Sequence, residues 1–314
     1  MSSLVAISVC VNTFNQITYV DSLISGIINQ VTDFDFEVIV YDDCSTDGTY
    51  EHLLSLSEKF DGRLTVFQPD CNQYSINHQL PFINCWNMAV GEYIAICEGD
   101  DYWIDPLKLQ KQYDAIKACN VDICFTNAYM EYSDGRRQEY FVRKKSNKLV
   151  SLSDVVRSGG GGMPTASILI STDILKNLPE WFKQAPVGDY FVQILGSERN
   201  GAIYLADITT VYRIATPKSW SSQRLKISDK KILSEYEGYF YVFDLLIKSN
   251  PLMEKTYSYA LSSEILYLAV LAFRRKSYYL SKTLLNRAWF FSKEVSLRKL
   301  VWSVYILMAG ILFR

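Results

Sequence analysis

A chain of 314 residues with 49% hydrophobic and 21% charged side chains can bury a sizeable core and is too apolar for a disordered segment. Its formal net charge of -2 gives no electrostatic footprint for a nucleic-acid partner. Seven cysteines, none in a C-x-x-C pair, point to thiols in a reducing cytoplasm, and the two histidines, His52 and His78, pair with no cysteine at the spacing a zinc site needs.

The chain opens on an apolar strand pattern, Leu4–Val11, with no signal-peptide pattern ahead of it. Ile17, Val20, Leu23, Ile24, Ile27 and Ile28 recur at helical spacing and predict a helix over 17–31. Phe36–Tyr41 then reads as strand, Thr49–Phe60 as helix, Leu64–Phe67 as strand, Gln79–Val90 as helix and Tyr93–Cys97 as a fourth strand. Asp105-Pro106 is a helix-start signal, and Val121–Phe125 is the next strand. Short apolar strands alternating with helices predict an α/β fold with a mostly parallel sheet flanked by helices.

From 126 to 170 the pattern breaks into charged stretches holding Arg136, Arg137, Arg143, Lys144 and Lys145. The glycine run Gly159–Gly162 fits a connector or a mobile loop near an acceptor. Ala166–Ile170 reads as strand, Asp173–Leu178 and Val187–Gly196 as helices, and Ile203–Arg213 as one or two strands. After a polar stretch, helices are expected near 229–249, 252–274, 276–292 and 295–313. The expected division is a domain over 1–225 and an all-helical appendage over 226–314. Within the appendage, Leu300–Phe313 is uncharged and flanked by Arg298, Lys299 and Arg314. Spanning a bilayer takes about 20 apolar residues, so the tail over 297–314 fits either a helix lying in the membrane interface or one packed on protein.

In open α/β sheets, ligands bind beyond the carboxyl ends of the strands. Three of those ends are polar here: Asn12-Thr13-Phe14-Asn15, then Asp42-Asp43-Cys44-Ser45-Thr46-Asp47-Gly48-Thr49, then Glu98-Gly99-Asp100-Asp101-Tyr102-Trp103. Adjacent carboxylates are costly unless a cation joins them, and a hard divalent ion held by one or two carboxylates plus phosphate oxygens is the usual solution. Asp100-Asp101 is therefore a candidate metal pair. Ser45, Asp47 and Asp105 fit helix caps, Asp42 a solvated turn residue, and Asn12 and Asn15 turn formers.

Four segments carry a resemblance that covers about residues 4–215: Ile7–Gln16, Val38–Thr49, Asn84–Trp103 and Val187–Gln193. In these the chain resembles family 2 glycosyltransferases, the large inverting family with the GT-A (Rossmann-like) fold. The resemblance implies a UDP-sugar donor and Mn²⁺ or Mg²⁺. It gives Thr13, Phe14 and Asn15 to the nucleotide pocket, with Phe14 against the base, and gives Asp43 the uracil N–H. It gives Asp100 and Asp101 the metal and its diphosphate, and Asp189 the part of catalytic base. Arg213 and Lys218-Ser219-Trp220-Ser221-Ser222 stand where a phosphate-facing loop is common, fitting either a diphosphate clamp or a solvated surface. Asn12 replaces the family's usual proline, and no histidine follows His78, so water would complete a metal shell. Asp189 also reads as a helix N-cap, and Asp173 is its nearest rival as base.

The implied activity is inverting transfer to a hydroxyl of a saccharide acceptor, probed against two other readings. A sugar-1-phosphate nucleotidyltransferase would need a glycine- and cation-rich loop after the first strand, where Asn12–Gln16 has neither. A non-catalytic carbohydrate-binding protein on a degenerate transferase fold would not need Asp43, Asp100, Asp101 and Asp189 together. By analogy, the setting is bacterial surface polysaccharide such as O-antigen, built on a lipid-diphosphate-linked acceptor by an enzyme peripheral at the inner face of the cytoplasmic membrane.

Overall fold

The computed structural model describes residues 5–60, 62–141, 145–214, 216 and 223–312. The chain divides into two compact units. The first comprises residues 1–155, 160–183 and 189–216, and the second residues 156–159, 184–188 and 217–314.

The first unit is built on one sheet. Its strands are β1 (Ile7–Thr13), β2 (Phe36–Asp42), β3 (Leu64–Phe67), β4 (Tyr93–Glu98), β5 (Tyr102–Trp103), β6 (Ile123–Glu131), β7 (Arg137–Glu139), β8 (Lys148–Val150), β9 (Leu169–Ser171) and β10 (Ala202–Arg213). The order β3-β2-β1-β4-β9-β6-β10-β5 forms the main path, with β7 on β6 and β8 on β10. β1, β2, β3 and β4 are parallel; β9 runs against both β4 and β6, which leaves β6 and β10 pointing the same way as β4. The mostly parallel expectation thus holds, with short antiparallel strands inserted where the sequence pattern broke.

The helices are α1 (Val20–Ile28), α2 (Thr49–Ser57), α3 (Leu80–Met88), α4 (Lys108–Cys119), α5 (Leu152–Ser158), α6 (Thr172–Lys176) and α7 (Asp189–Ser197). Helices on both faces of the sheet explain why strands such as ISVCVNT are buried on both sides. Ile7, Val9 and Val11 join Val38, Val40, Ala95 and Cys97 in a core that takes Leu23, Ile24 and Ile27 of α1, Leu53 of α2 and Leu109 and Ile116 of α4. On the opposite face, the Cys10 thiol meets the Cys85 carbonyl of α3. Gly26 lets α1 lie against β5: a Cβ there would stand 2.5 Å from the Trp103 carbonyl oxygen. The helix start expected at Asp105 falls later, at Lys108; Asp105 Oδ1 accepts from the Leu107 N–H and Oδ2 from Lys111.

The second unit contains α8 (Asp229–Ser249), α9 (Glu254–Arg274), α10 (Tyr278–Phe291) and α11 (Leu297–Leu312). α9 is its core helix, burying Leu261, Ile265, Leu268 and Ala272. With the turn before it, Pro251–Arg274 is the one stretch among the described residues long and apolar enough to cross a membrane, and most of it is buried. Arg224 forms a buried two-pronged ion pair with Glu235, both contacts 2.8 Å.

Candidate active site

Parallel strands bring their C-terminal ends to one edge, so residues far apart in sequence become neighbours. Thr13 stands opposite Asp42, Asn12 opposite Glu98, and Arg213 opposite Glu131.

At the β1–β2 end, hydrogen bonds are complete. Asp42 is fully buried. Its Oδ1 accepts from the hydroxyls of Thr13 at 2.8 Å and Ser45 at 2.6 Å, and its Oδ2 from the Ser45 N–H at 2.9 Å and Gln68 at 3.1 Å. Asp42 is thus no solvated turn residue; it ties three segments together. Asp43 is also buried, and its two oxygens accept the N–H groups of Gln73 and Tyr74 at 2.7 and 3.0 Å. Asn15 adopts a left-handed backbone, φ 54°, and its side-chain oxygen accepts from the Thr46 N–H at 2.8 Å. This loop-bracing use suits asparagine, which tolerates that region. Phe14 is left 47% exposed, a free aromatic face at the mouth of the edge.

At the β4 end, acceptors outnumber donors. The turn Glu98–Asp101 closes by the Asp101 N–H donating to the Glu98 carbonyl at 3.0 Å. Gly99 packs closely on Gln16 and Thr13: a Cβ there would lie 2.0 Å from Gln16 Oε1, so the Gln16 side chain would have to move. Asp101 is buried; Oδ1 accepts from the Arg213 N–H at 3.0 Å, while Oδ2 has no hydrogen-bond partner among the described residues. Burial pushes the Asp101 carboxyl well up, with repulsion from Asp100 and Glu98 adding to it. Burial, then Asp100 and Asp189, raises the Glu98 carboxyl to about 8. Glu98, Asp100, Asp101 and Asp189 therefore share one electrostatic neighbourhood, drawn from two loops 88 residues apart in sequence at their nearest.

An orphaned buried carboxylate oxygen beside two further acids is what a divalent cation would satisfy. Among the described residues, no group of three or more His, Cys, Asp or Glu encloses an ion position. A cation here would rest on Asp101 and Asp100, with the rest of its shell from diphosphate oxygens and water, which is the usual arrangement for Mg²⁺.

Arg213 braces this turn. Its Nη1 donates to the Asp100 carbonyl at 2.7 Å, its Nη2 to Ser22 Oγ at 3.0 Å, and its Nε lies 3.4 Å from Glu131. The guanidinium stacks on Tyr102, and Thr216 donates to Asp100 Oδ2 at 2.6 Å. These contacts, which use three of the five guanidinium N–H donors, let Arg213 position the acidic turn. It is not a solvated surface group. The segment Lys218–Ser222 lies outside the described residues.

Asp189 opens α7, and its Oδ1 accepts from the Tyr190 N–H at 2.8 Å. Burial raises its carboxyl, opposed by the backbone N–H groups at the helix start. A Cβ on Gly160 would reach 4.0 Å from Asp189 Oδ1, so the glycine run borders the carboxylate. The run is anchored by Gln193 donating to the Gly160 carbonyl and Tyr140 to that of Gly161. Asp173 instead receives Asn177 within α6. Sequence reasoning passed over Glu98 and Glu131. Glu98 stands two residues before Asp100 at a strand end and was legible by the same rule; nothing local marks Glu131, which matters only because β10 lies beside β6.

Comparison with known proteins gives the family and the fold. The model of the family described as glycosyl transferase family 2 matches residues 8–165. The uncharacterised protein Rv1520 of Mycobacterium tuberculosis is 36% identical over 130 residues, covering 41% of this chain and 37% of that protein. The putative teichuronic acid biosynthesis glycosyltransferase TuaG of Bacillus subtilis is 28% identical over 136 residues, 43% of this chain and 52% of that protein. The chain thus matches between about a third and about half of the length of these curated relatives. The crystal structure of S. aureus TarS 1-349 in complex with UDP-GlcNAc superposes with a TM-score of 0.54 and 21% identity, over 85% of this chain and 83% of that one, a likeness of fold.

Proposed function

The chain belongs to glycosyl transferase family 2, and from that premise we propose that it is an inverting transferase moving a sugar from a UDP-sugar to a hydroxyl of a saccharide acceptor. The observation that carries this reading is the unsatisfied Asp101 oxygen beside Asp100 and Glu98, with Asp189 acting on the same Glu98. In this reading Phe14 stacks on the base and Thr13 and Asn15 shape its pocket. Asp43 fixes the wall at Gln73–Tyr74 and offers its remaining lone pairs to a nucleobase N–H. Asp100 and Asp101 hold Mn²⁺ or Mg²⁺, which neutralises charge developing on the diphosphate leaving group. Asp189, its proton affinity raised by burial, accepts the proton of the attacking hydroxyl on the opposite side of the sugar.

The acceptor we assign is a lipid-diphosphate-linked saccharide in bacterial surface polysaccharide synthesis, with the enzyme cytoplasmic and peripheral at the inner face of the membrane. The similarity to a protein of teichuronic acid biosynthesis supports that setting. The test is nucleotide release from UDP-sugars by the full chain, with and without EDTA. Turnover should vanish in EDTA and fall at least about a thousandfold in Asp189→Asn while UDP still binds. An Asp189→Asn protein with undiminished turnover overturns the assignment of the base; failure of the wild type to bind any UDP-sugar overturns the donor.

A further inference from the structure

The last helix of the second unit is polar where it is covered and apolar where it is bare. Leu297, Leu300, Val301, Val304, Leu307 and Met308 are all exposed, between 42% and 79%. At 100° per residue these six, with exposed Tyr305, fall within an arc of about 160° that no charged side chain interrupts. The covered face carries Lys299 and Ser303 beside Ile306. Lys299 Nζ donates to Ser262 Oγ at 2.8 Å and to the carbonyls of Ser292 at 2.7 Å and Ala288 at 3.2 Å. Its ammonium thus sits on the negative C-terminal end of α10, 4.2 Å from the Trp289 ring centre. Of the cations flanking the tail, Lys299 therefore turns inward and clasps α11 to its neighbours. A helix fastened by its polar side leaves its apolar side for something outside this unit.

Charge says what that is. Residues 274–314 hold nine of the chain's 32 Lys and Arg but one of its 34 Asp and Glu, a net +8, against -10 for all the rest. Arg274, Lys276, Lys282, Arg287, Lys293 and Arg298 are exposed. A second copy docking the same face would bring one strongly positive arm against another. An anionic bilayer answers both features, taking the apolar stripe among its acyl chains and the cations at its phosphates. With 16 residues, α11 is about 24 Å long, short of the roughly 30 Å hydrocarbon core, so it lies in the interface rather than crossing it. We propose that the outer face of α11, with the surrounding cations, is a docking surface for anionic lipid, and that Lys299 holds the helix to display it. The argument does not use the transfer chemistry, so vesicle binding and sugar transfer fail separately.

The experiment is co-sedimentation of the full chain with vesicles of phosphatidylcholine alone or mixed with phosphatidylglycerol. Binding is expected to the mixed vesicles only, and high salt should release the chain by screening its cations. Val304→Asp and Arg298→Glu should each lower partitioning by about tenfold or more with an unchanged melting temperature. The salt response of the unmodified chain keeps the test valid if either variant misfolds. No sedimentation with mixed vesicles, equal sedimentation with both kinds, or a concentration-dependent dimer that Val304→Asp dissolves would each overturn the proposal; the last would make the face a contact between copies.

Discussion

Two Asp-Asp pairs end neighbouring parts of the same sheet, and they are opposites. Asp42-Asp43 receives six hydrogen bonds from Thr13, Ser45, Gln68, Gln73 and Tyr74, and no oxygen of the pair is orphaned. Asp100-Asp101 receives two, from Thr216 and the Arg213 N–H, and leaves Asp101 Oδ2 buried and bare beside further acids. The first pair is satisfied by the fold itself: Asp42 is structural glue, and Asp43 is held in place with lone pairs to spare. The second is left short of positive charge, and that shortage is what supports the proposed cation there. Residue type does not separate the two; the count of donors does.

Breaking the pairs one at a time should give opposite phenotypes. The largest effect expected is on activity: Asp101→Ala should lower transfer by about a thousandfold or more and abolish any rise in melting temperature on adding Mn²⁺, while the apo protein keeps or gains stability. A melting temperature that still rises with Mn²⁺ would remove Asp101 from the metal site. Next, Asp42→Ala should cost roughly 2–4 kcal/mol in denaturant unfolding, because it strands buried donors from three segments. Unfolding at the wild-type midpoint would mean that this end is not the glue inferred here.

The smallest effect is in pH. The Glu98 carboxyl stands at about 8 in the folded chain against an ordinary 4.5. Between those values the folded state holds a proton that the unfolded state has lost. Its stabilising contribution is therefore complete below about 4.5 and is lost as pH rises through about 8. Melting temperature without metal should fall over that window, and Glu98→Gln should flatten the fall. An identical slope in Glu98→Gln would assign the pH dependence elsewhere.

Much of this was legible beforehand. The strands β1, β2, β4 and their helices follow from apolar periodicity, since strands buried on both faces must be continuously apolar. Asp100-Asp101 stood out because adjacent carboxylates after an apolar strand are costly unless a cation joins them. The division of labour between the Asp pairs was not legible, because the donors to Asp42 come from Thr13, Ser45 and Gln68, spread over 56 residues. The bracing of the acidic turn by Arg213 was not legible either, because its partners, Ser22, Asp100 and Glu131, are assembled only when β10 pairs with β6 and β5.

By itself the sequence determined the long strands and most of the helices, that the sheet is mostly parallel, and which carboxylates end its strands, since these rest on local periodicity and on residue type. Only the tertiary structure decided which of those carboxylates is satisfied, that Glu98 and Asp189 share a neighbourhood, and that α11 turns Lys299 inward and its leucines out. Hydrogen-bond supply and burial are properties of packed neighbours, and neighbours are chosen by the fold.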